Sequence, residues 1–172
     1  MNHVVYEETQ RFPLWVYIFM FVLIFGLLAA YVGSAAEPDT DADDPKRIGA
    51  GLFLLVVLLL ACNLMLLRVR IREEDIYLSL GVLFPMLWRR VRHDAITDQR
   101  VVTYRPLRDA GGWGVRLGMF EGAPTSFFNA RGNRGVLLTT ANRPLIIGSQ
   151  DPEPLAEAIA RAREQFAKTH AM

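Results

Sequence analysis

IGAGLFLLVVLLLACNLMLLRVRIREED, the stretch from Ile48 to Asp75, runs from an uncharged segment straight into arginines alternating with β-branched residues. Ile48 to Leu67 holds no charge and one strongly polar side chain, Asn63. A helix rises about 1.5 Å per residue, so such a run spans roughly 30 Å, the thickness of a bilayer's hydrocarbon. Arg68, Val69, Arg70, Ile71 and Arg72 then follow the period of a half-exposed strand. The stretch reads as a membrane helix that becomes a strand without a linker, holding the chain beyond Leu67 against the membrane surface.

Toward the N-terminus a second uncharged run covers Phe12 to Ala36, with Pro13 at its start, Trp15 and Tyr17 near one end and Tyr31 near the other. Aromatic residues at both ends suit the two interfaces of a bilayer. The rival reading is a cleaved signal peptide ending in the small residues Gly33 to Ala36. Against it, Glu7 and Glu8 precede a single Arg11, and the run exceeds a usual signal core. Residues 1–67 are thus expected to form a transmembrane hairpin with spans at about 13–34 and 48–67, preceded by a frayed polar terminus. Gly26, Ala30 and Ser34, Ala29 and Gly33, and Gly49 and Gly51 are small enough to let the two helices pack closely. Asn63 is expected to bond to the neighbouring helix or to lie near the interface.

The formal charge of +1 hides a partition. Glu37 to Arg47 carries −3 and Arg68 to the C-terminus +5. Arg68, Arg70, Arg72, Arg89, Arg90 and Arg92 come after the second span, so the positive-inside rule puts both termini in the cytoplasm and the acidic loop outside.

Residues 68–172 read as short strands and one helix, an α+β cytoplasmic domain. Arg68–Arg72, Ile76–Leu80, Leu87–Arg92, Arg100–Arg105, Gly112–Leu117, Ser126–Asn129, Gly135–Thr140 and Leu145–Gly148 are separated by turn signals, the last two forming a hairpin about Asn142. Such spacing predicts an antiparallel barrel or sandwich. Asp151, Pro152 and Pro154 open a helix whose Leu155, Ile159, Ala162 and Phe166 recur at three and four, with Arg163 on the wet side. That apolar stripe is expected to close the open end of the barrel.

Catalytic patterns are missing from the sequence. It contains no phosphate-binding P-loop, no Gly-x-Ser-x-Gly elbow and no His-Glu-x-x-His. Gly112-Trp113-Gly114 lacks the remainder of a dinucleotide fingerprint, and Asp94 with Asp98 reads as a solvated pair in a turn. Cys62 is the lone cysteine, and His3, His93 and His170 are scattered, so neither a disulfide nor a metal site is expected. The reading is of a protein that is not an enzyme and carries no cofactor. Arg89, Arg90, Arg92, Arg100, Arg105, Arg108 and Arg116 form the one notable constellation, suited to a solvated surface or to anionic lipid headgroups. Sparse aromatic interleaving speaks against nucleic acid.

Trp88-Arg89-Arg90-Val91, Tyr104-Arg105-Pro106-Leu107-Arg108, Gly111-Gly112-Trp113-Gly114-Val115-Arg116, Gly132-Asn133-Arg134-Gly135-Val136 and Ile146-Ile147-Gly148-Ser149-Gln150 resemble segments of small bacterial membrane proteins. These have two spans and a C-terminal pleckstrin-homology-like (PH-like) domain. The resemblance implies about seven strands capped by a helix, a place in the bacterial cytoplasmic (inner) membrane, and no known activity. Relatives that hold phosphoinositides use basic residues at the first hairpin, where this chain has Glu73-Glu74-Asp75, three carboxylates that would repel a phosphate.

The functional expectation is a membrane-tethered interaction or scaffolding module that binds a protein partner or its own copies. The alternative is an accessory subunit of a membrane transporter or envelope enzyme, recognised through its spans. Trp113, Arg116, Phe127 and Phe128 are candidates for the interaction surface. Phe84, Met86, Trp88, Arg89 and Arg90, in or beside the apolar run Val82–Trp88, are candidates for the membrane interface, with core packing of that run as the competing reading.

Overall fold

A computed structural model describes residues 3–35, 45–81 and 85–170. The acidic connection at 36–44 and the segment 82–84 lie outside the described residues. The protein is α+β, with an apolar N-terminal helix, a region rich in β-sheet and a C-terminal helix.

The polar N-terminal segment is a strand, β1 (Val4–Arg11), not a frayed end. Tyr6, Glu8 and Gln10 turn inward at alternate positions, Gln10 almost wholly buried. Two helices come next, α1 (Leu14–Ala35) and α2 (Pro45–Asn63), and then β2 (Leu66–Arg72). β1 pairs antiparallel with β2 from Arg11↔Leu66 to Val4↔Arg72, so the helices are an insertion between neighbouring strands.

Leu14–Gly33 has a mean hydropathy of 2.4 and is long enough to cross a membrane; the apolar part of α2, Ile48–Ala61, is shorter. The expected continuation of α2 to Leu67 fails for a packing reason. Leu67, Val69 and Ile71 are completely buried at alternate positions of β2, and that register claims the chain from Leu66 onward. An apolar run without breakers fits a helix end or a strand start equally well, and the tertiary contacts decide. Close approach of α1 and α2 is localised: a Cβ on Gly51 would lie 2.7 Å from Tyr31 Oη, whereas Gly26, Gly33 and Gly49 face open space. Asn63, the last residue of α2, is buried.

β2 leads to β3 (Asp75–Leu80) and β4 (Leu87–Arg92), completing an antiparallel sheet in the order β1-β2-β3-β4. A single-turn helix, His93–Ala95, leads into β5 (Ile96–Thr103). A four-residue helix, α3 (Pro106–Asp109), precedes β6 (Gly114–Phe120), β7 (Ala123–Asn129), β8 (Arg134–Thr140) and β9 (Leu145–Gly148). The second sheet has the order β5-β8-β9-β7-β6. Among the described residues nine strands form two sheets that do not close into a barrel, against the expected barrel or sandwich of about seven. β7 and β9 are parallel, the one departure from antiparallel pairing among the described strands.

The last helix, α4 (Pro152–His170), packs on β1, β2, β5 and β8, touching both sheets. Leu155, Ala158, Ile159 and Ala162 are fully buried there. Each large one stabilises the fold by about 1.5–3 kcal/mol. Arg163 is not on the wet side: its guanidinium donates to the Ile96 carbonyl at 2.6 Å and to Gln99 Oε1 at 3.4 Å.

Candidate functional site

The helices and the four-stranded sheet meet without slack. Only Phe12 and Pro13 separate β1 from α1, and only Leu64 and Met65 separate α2 from β2. Tyr17 Oη on α1 donates to the Met65 carbonyl at 3.2 Å, closing this junction from the side. Gln10, Leu67, Leu80 and Leu87 lie in one row across the sheet, the row next to the helix roots. The β3–β4 connection therefore emerges at the same end as the helices.

At that end Met86, Leu87 and Trp88 are 38%, 45% and 61% exposed. Core packing of these three is excluded, and Phe84 lies outside the described residues. The second sheet supplies more apolar surface. β9 crosses the first sheet: Arg89 on β4 donates to the Arg143 carbonyl just before β9, and Gln10 on β1 donates to the Gly148 carbonyl at its end. Since α4 rests on β5 and β8, the opposite edge strand β6 falls on the helix-root side. The ring contact of Trp113 with Trp15 of α1, 5.9 Å between centroids, agrees with this placement. Val115, Leu117 and Met119 share a face of β6 by their period of two. Val115 reaches the core, but Leu117 and Met119 are 69% and 54% exposed.

The arginines do not gather into one patch. On the outer face of the first sheet Arg70 pairs with Glu7 at 3.0 Å. Buried Asp75 faces Arg72 at 3.9 Å and Arg90 at 3.3 Å, and both guanidiniums lie near the Tyr77 ring, at 4.5 and 5.9 Å. Arg92 binds Asp94 at 2.8 Å; their hydrogen bond raises the arginine's pKa and lowers the carboxyl's. Elsewhere Arg100 pairs with Glu121, and Arg108 with Asp109. Arg89 differs. It is half-buried, and burial first, then the charge of Arg143, hold its pKa below the usual value.

Of the surface candidates, Trp113 is partly exposed and donates to the Gly132 carbonyl at 3.4 Å, while exposed Arg116 donates from Nε to the Trp113 carbonyl at 3.2 Å. Phe127 and Phe128 are not at the surface, being 0% and 4% exposed. β7 lies inside its sheet, between β9 and β6, so both faces of the strand are covered and each ring enters a core cluster. Leu87, Leu117, Met119 and Arg143 were missed. Leu117 and Met119 alternate with Val115 along β6 and so resemble core residues in the sequence. No family model matches the chain, and no curated protein matches it in sequence.

Proposed function

We propose that the protein is a membrane-tethered, non-catalytic PH-like interaction module of the bacterial inner membrane, binding a protein partner or its own copies at the cytoplasmic face. The two helices span the bilayer, with both termini inside and the acidic connection outside. The observation that carries this reading is the graft of the helices between paired strands β1 and β2, which puts the exposed apolar end of the sheets on the side of the helix roots. An antiparallel meander, a second sheet and a terminal helix resting on both support the PH-like resemblance; the additional strands and the parallel β7–β9 pair depart from it.

Gly26, Gly33 and Gly49, open to their surroundings, favour a second reading in which the spans themselves recognise the helices of a transporter or envelope enzyme. Chemical cross-linking in native membranes, with and without replacement of both helices by unrelated spans, separates the two. Under the first reading the cross-linked partners survive replacement; their loss transfers the function to the helices. Labelling from outside intact cells should modify Asp41→Cys and spare Gln150→Cys, and the reverse pattern ends the topology.

A further inference from the structure

We propose that Arg89 and Arg143 form a phosphate site for the headgroup of an anionic lipid, seated where the sheets meet the bilayer. The inference rests on the tethered reading proposed for the protein and adds a ligand to it.

Charge balance separates Arg89 from the other arginines of its strand. Arg90 and Arg92, the other arginines of β4, are matched by Asp75 and Asp94. Among the described residues neither Arg89 nor Arg143 forms an ion pair with a carboxylate. Half-buried Arg89 donates to the backbone carbonyl of Arg143, so the two residues are neighbours. Such an arrangement is unfavourable alone and favourable around a phosphate, whose oxygens accept from guanidinium forks in pairs.

The site has a shape as well as a charge. A groove of about 250 Å³ runs between β4 and the β8–β9 turn, with Arg89, Arg90, Arg92, Thr140 and Asn142 in its wall. The Thr140 hydroxyl donates to the Arg143 carbonyl at 2.9 Å, and Arg89 donates to the same carbonyl at 3.4 Å. The turn that carries Arg143 is therefore fixed relative to β4. Asn142 adds an amide that can donate to a phosphate oxygen.

Depth argues for a lipid over a soluble phosphate. Arg89 stands two residues from Leu87 in the helix-root row, about 7 Å at a strand's rise. The headgroup layer on each side of a bilayer is about 5–8 Å thick. With Met86, Leu87 and Trp88 toward the acyl chains, Arg89 comes level with the phosphates.

The test uses the full chain in nanodiscs of phosphatidylcholine alone or mixed with phosphatidylglycerol. In a Trp15→Phe, Trp113→Phe background, quenching of Trp88 by lipids brominated on the acyl chain reports whether this end touches the bilayer. Amide exchange at 85–92 and 140–144 reports the site. Phosphatidylglycerol should slow exchange in both segments, and Arg89→Gln with Arg143→Gln should lower the apparent affinity for phosphatidylglycerol about thirty-fold, near fivefold per arginine. Arg100→Gln should change nothing, and unaltered exchange in β3 shows that each variant is folded. If Trp88 is quenched but the phosphatidylglycerol effect ignores the double variant, the site is wrong and the membrane contact stands. Without quenching, the contact and the site fall together. Protection by inorganic phosphate over phosphatidylcholine, with none from phosphatidylglycerol, overturns the lipid assignment.

Discussion

Removing residues 1–11 should destabilise the whole four-stranded sheet, although those residues read as a frayed polar terminus. β1 makes seven registered pairings with β2. At about 0.5–1 kcal/mol net for each ladder bond, their loss costs about 4–7 kcal/mol. Gln10 adds to this, because without it the buried Gly148 carbonyl loses a donor. The total is comparable with the whole stability of a typical domain, about 5–15 kcal/mol. Amide exchange of β3 in detergent micelles is the assay, since β3 pairs with β2 and β4 and never with β1. A loss of about 4 kcal/mol speeds exchange through cooperative opening about a thousandfold. If Ile76 and Leu78 exchange within threefold of the full chain, β1 is an ornament on the sheet and its graft does not anchor the helices.

Signal cleavage near Ala36 would remove β1 as well, so N-terminal sequencing of the mature protein should recover residues 4–11. Burial raises the Glu8 carboxyl pKa against hydrogen bonds from Ser149, Gln150, Tyr6 and Gln10 that lower it. A raised folded value means the fold prefers the protonated acid. Its contribution is therefore complete below the ordinary glutamate range and lost as pH rises through the raised value. Unfolding measured against pH should show that falling limb in the wild type and not in Glu8→Gln; identical profiles refute it. Ile159→Asp should cost several kcal/mol in chemical unfolding, Arg161→Asp under about 0.5, and Arg163→Ala about 1.5–3 through the lost bond to the Ile96 carbonyl. Equal stability of the first two variants would detach α4 from the fold. Gly118→Ala would set a Cβ 1.9 Å from the Asp109 carbonyl oxygen, so α3 must lift from β6; faster proteolysis at 105–112 checks it.

What the sequence disclosed depended on whether burial was apolar. β2 and β3 advertise themselves by alternation, and α4 by a stripe at three and four. β1 could not, because its inward positions are Tyr6, which packs against the core, and Glu8 and Gln10, held by side-chain hydrogen bonds with Ser149 and the Gly148 carbonyl. Periodicity sees only the residues that avoid water, and a strand that buries hydrogen-bonded polar groups is invisible to it. The same blindness reversed the reading of Phe127 and Phe128. Both read as candidates for the interaction surface, but adjacent phenylalanines point to opposite faces of a strand, and a strand covered on both faces buries both.

The candidate site was half legible for a related reason. Trp88, Arg89 and Arg90 stand out as local composition, but Arg143 is separated from them by more than fifty residues and joins them only because β9 crosses β4. Leu117 and Met119 fill alternate positions on a strand and so look like core. What leaves them exposed is the sheet order, which places β6 at the edge. Their exposure is a property of two sheets that do not close, and a closed barrel of the same strands would have buried them. The open edge and the inserted helices lie at the same end of the molecule. Met86, Leu87, Trp88, Leu117 and Met119 are exposed at that end, where a bilayer held by α1 and α2 would cover them, whereas the exposed Val4 and Val5 lie at the far end of β1.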